Sequence, residues 1–198
     1  MNFNQNPCIR VTGCTIFTFI LVLTLASCSK DETVRTKLDP PTDSCWSSLN
    51  REKLRELLPH GERVSSAIIP KKGFALPEKI YSSCIVYVDG FNAFTAAANL
   101  RRDKSAAEFE VPEDANRKPL QLGGDAEAWS WEGQAAAVYH CKIPPHKIRN
   151  IPHRKPYKYV TLRVFTYTPD KGNKHRAPLV SLLKEFKDFT DKQLECVK

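Results

Sequence analysis

The chain lacks most of the signals that announce chemistry. It has no Gly-x-Ser-x-Gly elbow, which argues against a serine hydrolase of the α/β type. No two cysteines stand two to four residues apart, which argues against a zinc ribbon or knuckle. Gly123-Gly124 lacks the lysine and flanking glycines of a phosphate loop and reads as a turn. The hydrophobic run Cys14–Ala26 covers roughly 20 Å as a helix, short of the ~30 Å hydrocarbon core. Acid is absent between Gly133 and Pro169, and no internal repeat is visible.

What is present is ordinary globular material. The 198 residues are 41% hydrophobic, 10% aromatic and 26% charged, which excludes a collagen-like, wholly disordered or multi-span protein. The length suits one domain with a real core.

The first residues read as an address. Arg10 is followed by the uncharged run Cys14–Ala26, the form of a secretory leader. Leu25-Ala26-Ser27-Cys28 resembles the bacterial lipobox, in which the cysteine thiol takes a diacylglyceryl group and the peptide is cut just before it. This implies a leader over 1–27 and a lipidated Cys28, with the palmitate-type chains of a membrane lipoprotein. Two or more acyl chains hold a protein stably, at ~0.8 kcal/mol per buried CH₂. The expected location is the extracytoplasmic face of the cell membrane. Residues 28–43 are poor in large apolar side chains and read as a flexible tether, with the domain over 44–198.

Of seven cysteines, Cys8 and Cys14 fall in the leader and Cys28 is assigned to lipid. Cys45, Cys84, Cys141 and Cys196 remain, an even number in an exported domain, with three possible pairings. Cys45–Cys84 and Cys141–Cys196 are favoured, because each closes a unit that combines a helix with strand. The chain-entropy model gives about 4 kcal/mol for loops of this size.

Asp43 or Ser44 is expected to cap a helical turn through Cys45, Trp46 and Leu49, and Asn50 to cap a helix ending before Pro59. Strands are expected near 67–70, over 81–89 up to the turn Asp89-Gly90, over 94–101, and over 127–131 and 134–143 around Glu132-Gly133. Residues 102–125 read as a polar loop with a short strand near 108–111. Four prolines exclude ladder pairing over 144–157. Tyr157–Thr168 alternates as a strand, and Ala177–Cys196 is an amphipathic helix on Leu179, Leu182, Leu183, Phe186, Phe189 and Leu194. The fold class is therefore α+β: an antiparallel sheet of about four to six strands, flanked by an N-terminal helix and a long C-terminal helix.

The lipobox, the segment Asp43-Ser-Cys-Trp-Ser-Ser-Leu49 with its Leu-x-x-Leu-Leu helix, the strand bearing Cys84, the segment Pro119–Trp129 and the C-terminal helix together resemble the small secreted lipoproteins of unknown function in actinobacteria, streptomycete-like ones in particular. The likeness covers most of 45–196. It implies fold and location, and a bridge from the N-terminal helix to a strand, but no activity and no ligand. The basic, proline-rich segment 142–158 departs from it.

Candidate chemistry is sparse. His140, His146 and His153 are spaced by six and seven residues, without the i, i+4 spacing or the acid of a metal helix, so no metal ligand is expected. Asp125 and Glu127 lie near Trp129 and Trp131, a pattern wall-directed hydrolases share, yet the two tryptophans at i, i+2 fit one buried strand face. No catalytic residue and no cofactor are assigned. The charge distribution stands out. Without Arg10, 29 basic and 22 acidic residues remain, and the acid-free stretch carries seven bases. Lys142, Lys147, Arg149, Arg154, Lys155 and Lys158 are the candidate anion contacts. The expected function is non-enzymatic contact with an anionic wall polymer or lipid headgroups, with no nucleic-acid partner. The alternative is a binding module for a partner protein or a small apolar ligand, held between sheet and helix.

Overall fold

The computed structural model describes residues 37–71, 73–108, 116–147, 157–167 and 174–196. The leader, Cys28, the first part of the expected tether, and Arg149, Arg154 and Lys155 lie outside the described residues.

Local sequence sets the hairpins. Between β2 (Tyr81–Val88) and β3 (Phe91–Arg101) the chain turns on Asp89-Gly90, both with positive φ, 52° and 83°. That geometry matches the twist of paired strands and selects Asp-Gly. The Asp89 carboxylate accepts the Glu62 and Arg63 amides at 3.0 and 2.9 Å, which steers β1 (Val64–Ile69) onto β2. The pair β5 (Glu127–Trp131) and β6 (Gln134–His140) closes on Glu132-Gly133, where Gly133 alone takes a positive φ, 64°.

Seven strands form one antiparallel sheet in the order β1-β2-β3-β7-β6-β5-β4, with β4 at Lys118–Leu120 and β7 at Tyr159–Thr166. The chain lays down two three-stranded meanders, and β7 then enters between them, pairing Leu162 with Ala98 on one side and Ala137 on the other. This exceeds the four to six strands expected. The additional edge strand, β4, comes from the stretch read as loop. That stretch also holds α2 (Lys104–Glu108), so helix reaches the start of the strand expected at 108–111.

Val160, Leu162 and Val164 face Leu179, Leu182, Leu183 and Phe186 of α3 (Arg176–Leu194), all fully buried. On the opposite face Ala107 of α2 packs with Ala136, Val138 and Trp131, and Trp129 lies partly buried beside them under Arg117. The single helix expected near the N-terminus is two pieces. Asn50 caps α1 (Arg51–Leu57) through its side chain to the Lys53 amide, 3.0 Å, and Lys53 bonds Glu185 of α3 at 2.7 Å. Before it, residues 44–47 make a tight turn in which Cys45, Trp46 and Ser47 take φ of 49°, 59° and 53°, the left-handed region. A right-handed turn was expected there. What holds the other hand is tertiary: Cys45 is bonded to Cys84 of β2, and Trp46 stacks on Phe186 and Phe189 with Phe74 at its edge.

Cys141 is bonded to Cys196, tying the end of β6 to the residue after the α3 cap. Two disulfides suit an oxidising, extracytoplasmic setting. Among the described residues no helix is long and apolar enough to cross a membrane. Residues 37–43 lie against α1: Lys37 bridges His60, Arg51 donates to the Pro40 carbonyl at 2.9 Å, and Asp39 pairs with Arg55.

Candidate functional site

Three neighbouring strands meet at one pole of the sheet. Arg101, the last residue of β3, faces Tyr159, the first of β7, which also faces His140, the last of β6. The ladder continues one step past the strands: Lys158 N–H donates to the Arg101 carbonyl at 3.0 Å, and Cys141 N–H to the Lys158 carbonyl at 2.8 Å. Adjacent strands are ~4.8 Å apart, so Arg101, Arg102, Lys158 and Lys142 gather on three successive strand ends. Arg102, Lys142 and Lys158 are exposed and form no ion pair among the described residues. The Arg102 guanidinium sits 5.4 Å over the Tyr157 ring.

One expected anion contact has an acidic partner within the domain. Lys147 bonds Glu195 at 2.9 Å, and His146 reaches the same carboxylate at 3.0 Å. Lys147 first, and His146 after it, hold the Glu195 carboxyl below its usual range. The Lys147 charge is thus met within the domain and fixes the end of α3. Arg163, in the same acid-free stretch, lies half-buried on the sheet against Gln134 and over Phe165, and burial lowers its pKa.

Asp125 and Glu127 are both exposed and share a cleft of about 240 Å³ with Lys104, His140 and Tyr159. Glu127 is bonded to Lys104. No group of three metal-ligating side chains gathers among the described residues.

A larger groove, about 620 Å³, runs between the β4 edge and α3. Leu120 and Leu122 form one wall, Ala177 and Val180 the other. Arg176 and Lys184 also line it. They are eight positions apart along the helix, about 12 Å of rise. Arg176 Nε donates to Ser130 Oγ at 2.9 Å, and Ser130 is buried in β5.

No protein-family model, no curated protein and no solved structure matches the chain.

Arg101 and Arg102 were not among the residues singled out from sequence. They lie some forty residues upstream of the basic segment, and only the β3–β7 register joins them to it. The groove had a weak signal. Ala177 and Val180 are apolar residues off the Leu179-Leu182-Leu183-Phe186 stripe, and a helix buried on one side has no packing need for them.

Proposed function

We propose that this chain is a non-enzymatic lipoprotein, moored through a diacylglyceryl group on Cys28 to the extracytoplasmic face of the membrane, whose domain contacts an anionic envelope component through the basic pole. The observation that carries the reading is the placement of Arg102, Lys142 and Lys158 at neighbouring strand ends, exposed and without acidic partners among the described residues. Two disulfides support it, as does the excess of 29 basic over 22 acidic residues that remains without Arg10. The ligand is a polyanion of lipid phosphates or wall polymer, recognised by charge density.

The test is binding of polyphosphate to the full chain held in neutral phosphatidylcholine vesicles. Each cation near an anionic surface contributes ~1 kcal/mol, so R102Q/K142Q/K158Q should weaken binding roughly 100-fold. Binding should also fade as salt rises to about 1 M, where charges are screened beyond ~3 Å. Retention that ignores both salt and the triple substitution would refute the proposal.

A further inference from the structure

We infer that the groove between β4 and α3 binds a single-chain anionic amphiphile, its acyl chain laid over Leu120, Leu122 and Val180 and its carboxylate or phosphate held by Arg176. The inference is separate from the basic pole and does not depend on it.

The size comes first. A groove of about 620 Å³ falls within the range of sites that enclose small ligands. Its chemistry comes next. The walls are mainly apolar, with Gln121 and Ser181 the neutral polar residues among them, no acid lines the groove, and two cations do, eight positions apart on α3. Two neighbouring lysines are paired with acids: Lys53 with Glu185 and Lys187 with Asp191. Arg176 and Lys184 have no acidic partner among the described residues. Arg176 is also positioned. Its Nε is anchored on buried Ser130, which leaves the terminal amino groups of the guanidinium to grip an oxyanion in bidentate fashion. Lys184 has a butyl stem that can extend the apolar wall while its ammonium stays in water.

An extended peptide is the competing occupant, since β4 is a sheet edge. That edge serves it badly. β4 has three residues with Pro119 at its centre, so the edge offers no regular ladder for strand addition. A flexible chain with one charged head needs no ladder.

The experiment uses the full chain in phosphatidylcholine vesicles. Four probes are compared: a photoreactive long-chain fatty acid, the corresponding alkyl phosphate, the corresponding alcohol, and inorganic phosphate as competitor. Labelled peptides are mapped by mass spectrometry. Both anionic probes should label 120–122 and 177–184. The alcohol should label this site at least tenfold less, and inorganic phosphate alone should not protect it. R176Q should cut labelling by the anionic probes about tenfold, the scale of a lost charge-assisted hydrogen bond. V180D should abolish labelling by every probe. Intact mass with both disulfides present confirms that each variant has folded; if R176Q has not, R176K serves, since it keeps the charge but loses the two-point grip and should also weaken labelling by the anionic probes. Preference for the acid over the phosphate, or the reverse, distinguishes a free fatty acid from a phosphorylated lipid as the source. Labelling elsewhere, equal labelling by the alcohol, or labelling unchanged in R176Q would overturn the proposal. So would chain-to-chain cross-links at Val180 that grow with protein concentration, which would give the groove to a second copy. None of these outcomes touches polyphosphate binding at the basic pole, so the two proposals fail separately.

Discussion

Tyr139 shows how a single side chain ties the sheet to the helix above it. It sits on the α3 face of β6, 3% exposed, with Lys187 Nζ 4.6 Å from its ring centre and Asp191 beside its hydroxyl. Burial pushes the phenol well above its ordinary value of 10.0, and the Asp191 charge pushes it further. An acid whose pKa is raised by folding stabilises the fold below the unfolded value. That stabilisation is lost as pH climbs through the folded one. The folded chain should therefore lose stability from about pH 10 upward, by up to ~1.4 kcal/mol per pH unit from this group. Y139F removes the titration. Urea midpoints for the two proteins should run together between pH 7 and 9 and diverge above 10, wild type falling faster. Parallel curves across that range would show that the phenol ionises freely in the folded state.

Among the elements, the left-handed turn at Cys45–Ser47 breaks most sharply with local sequence. A non-glycine residue in that region costs roughly 1–2 kcal/mol, and here three stand in a row. Ser47 tests it, because it is exposed and its hydroxyl makes only a long 3.3 Å bond to the Thr42 carbonyl. S47G should raise the melting temperature, by relief of about 1 kcal/mol, and S47V should lower it. A right-handed turn would reverse the sign for glycine, which costs up to ~1 kcal/mol there. Such elements divide what the sequence discloses from what it hides. Asp89-Gly90, the alternation of Tyr159–Thr166 and the leucine stripe of α3 are decided within a few residues, and they are legible. The turn at Cys45 is decided by Cys84, thirty-nine residues away, and by phenylalanines near the other end of the chain. α2 and β4 are five and three residues long, too short for either period to repeat, and their stretch is polar. They exist because the sheet offers Trp131, Val138 and Ala128 to pack or pair with. The basic pole was half legible. Lys142 and Lys158 announce themselves in an acid-free run, whereas Arg102 joins them only through strand register.

At the scale of the whole molecule, covalent links organise the design. Cys141–Cys196 fastens the far end of α3, the helix that walls the groove, to the end of β6 at the basic pole. The Glu195 bridge to Lys147 and His146 reinforces the same corner. Cys45–Cys84 fastens the N-terminal turn, where the chain arrives from the proposed anchor. The two bridges span 39 and 55 residues, so the chain-entropy model gives each about 4 kcal/mol, with only a few tenths between them. Losing either should cost a large share of a typical domain's 5–15 kcal/mol. C45S/C84S and C141S/C196S should therefore lose similar amounts of stability in denaturant titrations. Intact mass of the membrane-extracted protein joins this to export. It should correspond to a chain beginning at Cys28 with a diacylglyceryl group added. Reductant should raise the mass of the unfolded chain by two hydrogens for each of the two bridges. A mass starting at Met1, with every cysteine open to alkylation before reduction, would put the protein in a reducing compartment. The anchor and the external polyanion would then both be lost as explanations, and the groove would be left to stand on its own chemistry.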